Sequence, residues 1–414
     1  MRVNRQVSDY FRRHQQEVRE EIVALTCRMV RERTVNVVPE KLADFPYLKQ
    51  RGEEYRVAAI VCEALERWGI PFQVFEREKG RSNVVGKVGS GRGGCKLLVA
   101  CHMDVVPPGD GWDSDPFTPV EKDGFLYGRG VLDNKGPLAA SLLAARVLKQ
   151  VVGDDGIAGE LIIAALADEE ASSPEGDFGV GYLLEEGLIR PTCAIIPDIG
   201  ENMRSIDVAE KGRVVLRIVA AGVQAHASTP ERGVNAIYKM ARFLTKLEQL
   251  QLPHQVHPVL GGPTLNLGEV HGGAAPNIVP GECTAYVDVR IVPGQTAEGV
   301  RQTIAALAEQ VAQDFVVEVQ SASPPHAIDP QNELVVAIQR NVEQLLGWRP
   351  LPIGMGGGTF AKTLNLAGIP AVGFGPGDDA AFHVANERVE IQQLVDFAHV
   401  VSLVALDLAS EGSA

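Results

Sequence analysis

Apolar residues along the chain follow two spacings. Spacings of three and four positions, typical of amphipathic helices, occur over 7–34, 53–68 and 391–408. Continuous apolar runs, typical of strands buried on both faces, occur at 97–101, 161–167 and 193–196. Helices that alternate with such strands predict an α/β fold in which the strands form a central sheet.

The three apolar runs share a second property, because each leads into side chains that can bind a metal. These side chains are His102 and Asp104 after the first run, Asp168, Glu169 and Glu170 after the second, and Asp198 after the third. In open α/β sheets, ligands bind at the carboxyl ends of the strands. Adjacent carboxylates repel each other unless a cation lies between them or one is protonated. The pattern favours a metal site, although a core histidine bonded to a turn aspartate would explain His102 alone.

Two further candidate ligands lie in loops. A helix is predicted to begin near Lys135 and Gly136, which leaves Asp133 in the irregular turn before it. From that turn Asp133 can direct its carboxylate at a ligand, but Asp133 or Asn134 can equally cap the helix. His383 is the histidine of the last loop before the final helix.

The middle of the chain has the pattern of a second domain. Strand, helix, strand, strand, helix and strand patterns follow one another over 214–220, 234–250, 264–269, 283–291, 297–311 and 316–319. This order predicts an inserted ferredoxin-like α+β domain, which we place at residues 211–322. Residues 1–210 and 323–414 are then expected to form one discontinuous, metal-binding catalytic domain.

Composition narrows the classes of function. The chain has 414 residues and a net charge of −14, which argues against a nucleic-acid partner. Its six cysteines show no Cys-x-x-Cys spacing, so neither a disulfide framework nor a cysteine zinc site is expected. The amino terminus lacks the apolar core of a signal peptide, and no apolar run approaches the roughly 20 residues of a membrane helix. We therefore expect a cytoplasmic protein with no membrane partner.

One glycine pattern imitates a nucleotide-binding loop. Gly89, Gly91 and Gly94 match G-x-G-x-x-G, but a strand pattern follows them. Phosphate binding by such a loop requires the amino terminus of a helix directly after it. The glycines are therefore predicted to form a hairpin turn.

Taken in order, the polar motifs of the chain resemble those of the co-catalytic zinc peptidase and deacylase family. They run from His102 to Glu387 and read HMDVVP, GRGVLDNKGP, ADEEA, IIPD, AHASTPERGVNAI, PNIVPG, DVRIVPG, GGGTFAK and FHVANE. The family includes succinyl-diaminopimelate desuccinylase, acetylornithine deacetylase, glutamate-type carboxypeptidases and β-alanyl dipeptidases. The resemblance implies a central mixed sheet sandwiched by helices, with an inserted ferredoxin-like domain that serves for dimerisation or as a lid.

The resemblance also implies a centre that holds two divalent metal ions. His102 and Asp198 would bind one ion, Glu170 and His383 the other, and Asp133, joined to Asn134 by a cis bond, would bridge both. Glu169 would be the general base, and Asp104 would orient His102. Nitrogen and carboxylate ligands suit zinc, with manganese or cobalt as alternatives, and the lack of cysteine ligands favours a catalytic site.

The mechanism that the resemblance implies is hydrolysis of an amide by a water activated at both ions. Glu169 would take a proton from that water and deliver it to the leaving amine. His226 of the partner subunit would stabilise the oxyanion, although His226 can also be read as a polar residue at a helix start. Contacts to a substrate carboxylate would come from Arg290, Asn277, Gly357, Gly358 and Thr359, although Arg290 can instead brace its own sheet in an ion pair.

The sequence leaves two substrate classes open. GGGTFAK departs from the GGTDAR form common in the deacylases and resembles the GGGTYAR form of the β-alanyl dipeptidases, which favours a dipeptidase or small-peptide carboxypeptidase. The short insert is like the dimerisation domain of the deacylases, so an N-acyl-amino-acid deacylase is the alternative, and a homodimer is expected.

Two other classes of function fit the sequence less well. A non-catalytic scaffold would be expected to lose Glu169 or a metal ligand, and all of these residues are present. A glycosidase needs two carboxyl groups that flank the scissile bond about 5 to 9 Å apart, and the adjacent Glu169 and Glu170 are poorly placed for that.

Overall fold

A computed structural model describes residues 2–171 and 177–411 of the chain. The chain divides into two compact units. The first unit consists of residues 1–208, 328–353 and 359–414, and the second consists of residues 209–327 and 354–358.

The strands and helices are numbered in chain order. The strands are β1 (Phe72–Glu76), β2 (Ser82–Val88), β3 (Lys96–His102), β4 (Val120–Lys122), β5 (Phe125–Tyr127), β6 (Glu160–Leu166), β7 (Cys193–Ile196), β8 (Ser205–Glu210), β9 (Gly212–Ala221), β10 (Ala225–His226), β11 (Thr264–Gly272), β12 (Ile278–Val279), β13 (Glu282–Ile291), β14 (Phe315–Ser323), β15 (His326–Ala327), β16 (Leu351–Met355), β17 (Ala371–Gly373) and β18 (Arg388–Glu390). The helices are α1 (Arg2–Arg13), α2 (Gln15–Arg31), α3 (Tyr55–Arg67), α4 (Lys135–Val151), α5 (Val180–Glu185), α6 (Ala236–Leu247), α7 (Ala297–Glu309), α8 (Glu333–Leu346), α9 (Phe360–Leu366) and α10 (Ile391–Glu411).

The first unit is built on a mixed sheet with the strand order β1-β2-β6-β3-β7-β17-β8. β3 pairs in parallel with β6 and β7, whereas β2 pairs antiparallel with β6. Helices α4 and α10 contact one face of β3, and α5 and α9 share a buried apolar cluster with β3, β6 and β7 on the other. The predicted α/β sandwich with a mixed sheet is confirmed.

The parallel pairing brings the polar ends of the apolar strands to one edge of the sheet. His102 lies opposite Leu166, the last residue of β6, and Leu97 lies opposite Cys193, the first residue of β7. From Leu97 to His102 every residue of β3 is buried, because helices cover both faces of the strand. The loops that follow β3, β6 and β7 therefore begin side by side.

The amino-terminal segment forms two helices where one continuous helix over 7–34 was predicted. His14 leaves the helical conformation, with φ −116° and ψ 22°, and separates α1 from α2. α1 then packs on α10, where the rings of Phe11 and His399 stack with their centroids 4.5 Å apart, while α2 packs on α4. Periodicity alone could not show this break, because both helices bury the same kind of apolar stripe.

The prediction that Gly89, Gly91 and Gly94 form a hairpin turn is wrong. β6 lies between β2 and β3 in the sheet, so the glycine loop crosses over the start of β6 instead of joining neighbouring strands. A Cβ on Gly89, whose φ is +125°, would lie 2.3 Å from the carbonyl oxygen of Gly159. The glycines thus allow a close backbone crossing, and a strand follows the loop as predicted.

The final helix corrects the expectation that no apolar run approaches the length of a membrane span. By length and composition, the α10 segment Ile391–Ser410 is long and apolar enough to cross a membrane, with a mean hydropathy of 1.4. However, 72% of this apolar stretch is buried within the fold. α10 packs against α2, α4 and α8. Because neighbouring helices cover it on several sides, its apolar residues extend beyond a single stripe.

The second unit has the predicted ferredoxin-like topology. Its antiparallel sheet has the order β11-β13-β9-β14, and α6 and α7 pack on that sheet around a buried core that includes Phe243, Val287 and Ile304. The order strand, helix, strand, strand, helix, strand along the chain is the one that the hydrophobic pattern predicts.

Three segments assigned to the catalytic domain cluster with the second unit instead. Residues 209–210 and 323–327 extend the second unit at its two ends, and residues 354–358, which include the three glycines of GGGTFAK, join it from far along the chain. The backbone N–H of Lys211 donates to the carbonyl oxygen of Met355 at 3.0 Å, and Arg290 Nη1 donates to that of Gly356 at 3.0 Å. These contacts join residues far apart in the sequence, which is why local pattern did not reveal them.

Candidate metal centre

The residues predicted to bind metal converge at the carboxyl edge of the first unit's sheet. His102 is the last residue of β3, Glu170 follows β6, Asp198 follows β7, Asp133 precedes α4, and His383 lies in the loop before β18. The peptide bond between Asp133 and Asn134 is cis. Four of these residues reach the site because β3, β6 and β7 end, and α4 begins, at the same edge of the sheet.

Two groups of ligand atoms share one carboxylate. His102, Asp133 and Asp198 form the first group, and Asp133, Glu170 and His383 form the second, with ligand atoms within 4.8 Å of one another in each. His102 Nε2 lies 2.8 Å from Asp133 Oδ1 and 3.8 Å from Asp198 Oδ1. His383 Nε2 lies 3.0 Å from Asp133 Oδ2 and 3.1 Å from Glu170 Oε2. Asp133 therefore directs one oxygen to each group.

Asp104 holds this arrangement together through both its main chain and its side chain. The ring Nδ1 of His102 lies 2.9 Å from the backbone carbonyl oxygen of Asp104, whereas the Asp104 carboxylate is 3.6 Å away, beyond hydrogen-bond length. The carboxylate instead accepts hydrogen bonds from Asn36 Nδ2 and from the backbone N–H groups of Glu169 and Glu170. Asp104 thus orients His102 through its main chain and the acidic loop through its side chain.

Asp168 turns away from the metal groups. Its φ of +64° reverses the chain at the end of β6, and its carboxylate meets Arg81 Nη2 at 2.9 Å and Asn36 Nδ2 at 3.1 Å. Arg81 is fully buried and also binds both carboxylate oxygens of Glu54 at 2.7 Å. Of the three consecutive acids, the first therefore anchors the loop, and Glu169 and Glu170 are left near the metal groups.

Glu387 lies in the FHVANE motif but is not among the predicted site residues. The buried carboxylate oxygen Oε1 accepts hydrogen bonds from the backbone N–H groups of Gly130, Leu132 and Asp133 at 2.8 to 3.1 Å. The other oxygen, Oε2, accepts one from Arg129 Nη1 at 2.6 Å. Glu387 thus fixes the turn that presents Asp133. The signal in the sequence was that Glu387 follows the predicted ligand His383 closely. Its hydrogen-bond partners, however, lie more than 250 positions away in the chain.

Crowded charges shift the ionisation of the whole centre. Burial, followed by the charges of Asp133 and Glu170, raises the pKa of Asp198 to about 8 although His102 opposes them. Burial and then the charge of Asp133 raise the pKa of Glu170 to about 7. Hydrogen bonds to Asp133 and Glu170 raise the pKa of His383 to about 10. The crowded carboxylates therefore bind cations strongly, and a proton is one such cation.

Two carboxylate oxygens fit a cation directly. Among the described residues, Glu170 Oε1 and Asp198 Oδ2 are buried and have no hydrogen-bond partner. Buried polar atoms are nearly always paired, and an unpaired one calls for an explanation such as an ion. The donors in the two groups are imidazole nitrogens and carboxylate oxygens, a set that suits zinc, manganese or cobalt. The residues present therefore fit a metal centre.

Glu169 lies among the ligands without belonging to either group. Its backbone N–H donates to Asp104, and burial is the main cause that raises the pKa of its carboxyl group well above the usual range, with His102 opposing and Asp198, Glu170 and Asp133 adding to it. A carboxyl group that holds and releases a proton beside a metal site has the property a general base requires.

The predicted substrate-binding residues fall mostly in the second unit. There β10 and β12 pair so that His226 lies opposite Ile278, next to Asn277. His226 Nδ1 accepts a hydrogen bond from the backbone N–H of Ser228 at 3.1 Å, which leaves the ring proton on Nε2. His226 and Asn277 are both exposed.

Arg290 and the glycine segment show a different arrangement from the one expected for carboxylate binding. Arg290 Nε donates to Asp288 at 2.8 Å and Nη1 donates to the carbonyl oxygen of Gly356. Arg290 thus braces its own sheet, the alternative that the sequence left open, and holds the segment that leads to Gly357 and Gly358. Thr359, in the first unit, caps α9 by accepting from the N–H of Ala361 at 3.1 Å.

Comparison with known proteins gives matches to one group of enzymes. A family model described as peptidase dimerisation domain matches residues 208–316. An acetylornithine deacetylase from Myxococcus xanthus is 33% identical over 318 residues, which cover 75% of this chain and 79% of that protein. A succinyl-diaminopimelate desuccinylase from Nitratiruptor sp. is 30% identical over 304 residues, which cover 72% of this chain and 80% of that protein.

Solved structures share the fold across almost the full length. The aminopeptidase PepT from Bacillus cereus has a TM-score of 0.74 at 22% identity, with 95% of this chain and 99% of that chain covered. Human carnosine dipeptidase 1 has a TM-score of 0.71 at 19% identity, with 99% of each chain covered. At these identities the likeness concerns the fold.

We predict that metal binding to this centre releases protons and becomes weaker as the pH falls. His383 must lose its proton to bind a metal, as must any protonated Glu170 or Asp198, because ligands bind deprotonated. With pKa values of about 10, 7 and 8 for these groups, lowering the pH from about 8 to about 6 adds protons that the metal has to displace.

Titration calorimetry of the metal-free protein with zinc, in buffers of different ionisation enthalpy, measures the number of protons released. His383→Ala serves as the comparison and should release fewer protons. A metal affinity that is the same at both pH values would contradict the prediction.

We predict that Glu387→Gln weakens metal binding roughly 10-fold or more, the usual effect of removing a group that orients a metal ligand. The amide has a single acceptor oxygen and cannot satisfy both Arg129 and the three N–H groups that position Asp133. Competition with a chromophoric chelator measures the metal Kd. Glu390→Gln, three residues further along, is the matched control and should bind as the wild type does. Equal affinity in both variants would show that the turn keeps its shape without Glu387.

Proposed function

Because the chain belongs to the M20 family of metal-dependent hydrolases, we propose that it hydrolyses an amide C–N bond in a small substrate that carries a carboxylate. The observation that carries this proposal is the pair of ligand groups that share Asp133, with Glu169 beside them. Two metal sites that share a carboxylate are suited to activate a water for attack on a carbonyl. The carboxyl group of Glu169, which belongs to neither ligand group, lies beside them.

We assign the metal centre two divalent ions, with zinc as the first choice and manganese or cobalt as alternatives. His102, Asp133 and Asp198 would hold one ion, and Asp133, Glu170 and His383 the other. When bound, such ions supply Lewis acidity, which lowers the pKa of a coordinated water to about 7 and polarises a carbonyl oxygen.

In this proposal Glu169 moves the proton. Its carboxylate accepts a proton from the attacking water, holds it while the carbonyl carbon becomes tetrahedral, and delivers it to the nitrogen of the leaving amine. Glu169 lies beside Asp133, Glu170 and Asp198, so a proton that it accepts is held at the reaction site between the two transfers. Asp104 supports the step by fixing the backbone of Glu169 and Glu170.

His226 is the proposed oxyanion donor. Its Nδ1 is used by Ser228, so Nε2 carries the proton and is free to donate to a carbonyl oxygen that gains negative charge. We propose that His226 of the partner subunit acts in this way, within a homodimer formed by the second unit. The match of residues 208–316 to a peptidase dimerisation domain supports the dimer.

Two substrate classes are supported by different observations. The GGGTFAK segment resembles the dipeptidase form, and we propose dipeptides as the first class, with Asn277, Gly357, Gly358 and Thr359 near the substrate carboxylate and Arg290 holding the glycine segment in place. N-acyl amino acids are the second class, because relatives at 30 to 33% identity are named acetylornithine deacetylase and succinyl-diaminopimelate desuccinylase. We also propose a cytoplasmic location, because the six cysteines show no spacing typical of a disulfide framework.

We predict chelator-sensitive release of an amine from one of these two classes. The zinc-, manganese- or cobalt-loaded protein is incubated with dipeptides, including β-alanyl dipeptides, and in parallel with N-acetyl and N-succinyl amino acids. Hydrolysis of dipeptides alone supports the peptidase assignment, whereas hydrolysis of acyl amino acids alone assigns the protein to the deacylases. No hydrolysis of either class by metal-loaded protein would contradict the proposed function.

We predict that Glu169→Gln retains both metals but lowers kcat by roughly 100-fold or more, the size of effect expected for loss of a general base. Elemental analysis of the purified variant gives the metal content, and the substrate found in the screen gives kcat. Glu186→Gln, an exposed glutamate of the same unit, is the control for a surface change. Loss of metal together with activity would show that Glu169 is a ligand.

A further inference from the structure

Two cysteine sulfurs meet at the edge of the sheet opposite the metal centre. Cys95 Sγ lies 3.0 Å from Cys193 Sγ and 3.1 Å from Thr192 Oγ1. Cys95 directly precedes β3, and Cys193 is the first residue of β7. The amino ends of two neighbouring parallel strands therefore bring together thiols that are 98 positions apart in the chain.

The distance between the sulfurs leaves little movement before a bond can form. A disulfide bond is about 2 Å long, so the sulfurs need to approach by roughly 1 Å. Cys95 lies outside the ladder in which Leu97 pairs with Cys193, so rotation of its side chain does not break a hydrogen bond between the strands. The neighbouring residues Lys96 and Thr192 hold the two strand ends together. The backbone N–H of Lys96 donates to Thr192 Oγ1 at 2.8 Å, and the backbone N–H of Thr192 donates to the carbonyl oxygen of Lys96 at 3.0 Å.

A cavity gives small molecules access to this pair. It has a volume of about 580 Å³ and is lined by residues that include Cys95, Thr192, Cys193, Glu333, Pro370 and Leu408. This size lies within the range of small-molecule sites. Cys95 is half-buried, whereas Cys193 is only 7% exposed. A reagent in the cavity therefore reaches Cys95 first, with Cys193 behind it.

The two thiols also differ in acidity. A hydrogen bond from Cys193 lowers the pKa of Cys95 to about 7, with a further contribution from the Thr192 hydroxyl and against the effect of burial. The same hydrogen bond, followed by burial, raises the pKa of Cys193 well above the usual thiol range. Because the thiolate is the nucleophile in thiol–disulfide exchange, Cys95 has the character of the attacking residue.

We propose that Cys95 and Cys193 form a redox-active dithiol, which a low-molecular-weight disulfide that enters the cavity oxidises to an intramolecular disulfide. Cys95 Sγ attacks one sulfur of the reagent, its S–S bond breaks, and one reagent thiolate leaves. Cys193 then gives its proton to the released thiolate and attacks Cys95 Sγ, which expels the second reagent thiolate. The second reagent thiolate takes up from the solvent the proton that Cys95 gave up on forming its thiolate. The two protein thiols are thereby oxidised, and one reagent disulfide is reduced to two thiols.

The bond would join the strands that carry His102 and lead to Asp198, at the ends away from these ligands. A cross-link between distant parts of a chain reduces the freedom of the unfolded state and stabilises the native state. The expected consequence is a more stable oxidised form. The proposal does not depend on the hydrolytic function, and its readouts involve no substrate.

The test treats the full-length native protein with oxidised glutathione and then counts free thiols after denaturation. The number of thiols is expected to fall from six by two, with a Cys95–Cys193 cross-linked peptide in the digest and full recovery on reduction with dithiothreitol. The Tm of the oxidised protein should rise by roughly 3 °C or more.

Variants separate the roles of the two thiols. Cys193→Ser should stop at a stable mixed disulfide of Cys95 with glutathione, whereas Cys95→Ser should leave Cys193 reduced. Cys62→Ser, which removes a half-buried thiol of α3, is the matched control and should still form the bond. Circular dichroism of each reduced variant checks that it is folded.

Three results would overturn the proposal. They are retention of all six thiols by the treated wild type, a cross-link between other cysteines, and a folded Cys193→Ser protein whose Cys95 stays unmodified. The wild-type thiol count and peptide map decide the matter even if a variant fails to fold.

Discussion

The concentration of negative charge at one edge of a buried sheet constrains the rest of the first unit. Asp133, Glu169, Glu170 and Asp198 lie together where parallel strands and the turn before α4 end. Carboxylates removed from water at such short range cannot all remain ionised unless positive charge compensates them. The raised pKa values of Glu170, Asp198 and His383 express that need. Metal ions are the compensation that the unpaired oxygens of Glu170 and Asp198 fit.

A buried scaffold holds these side chains in place. Glu387 fixes the turn of Asp133, Asp104 fixes the loop of Glu169 and Glu170, and Asn134 donates to Asp198. Glu387 and Asp104 are themselves buried and paired. Arg129 donates to Glu387, and Asn36 donates to Asp104. Preorganisation of this kind lowers the cost of ordering ligands when metal binds, and it limits metal choice through geometry as well as ligand type.

The two ends of the same parallel strands have different chemistry. At the carboxyl ends of β3 and β7 the chain presents His102 and Asp198, and at the amino ends it presents Cys95 and Cys193. The strands between these ends are apolar and buried, since helices cover both faces of the sheet. The second unit has a separate core around Phe243, and carries His226 and Asn277 on a short ribbon. Each unit therefore stabilises its own share of the candidate functional residues.

The sequence by itself determined the central strands, the order of the second unit and which residues are candidate metal ligands. Apolar runs predicted β3, β6 and β7 to within one residue at each end, and they showed which polar residues follow the strands. The order of patterns predicted the ferredoxin-like unit. These features can be read from the sequence because hydrophobic periodicity depends on neighbouring residues alone.

Only the tertiary structure decided which residues meet. It turned Asp168 away towards Arg81, brought Glu387 to the turn of Asp133, joined residues 354–358 to the second unit and placed Cys95 beside Cys193. It also set β6 between β2 and β3, so that the glycine loop crosses a strand. The physical reason is that each of these contacts joins parts of the chain that are remote in sequence. Such contacts form when strands and helices pack into one core, and no local period encodes them.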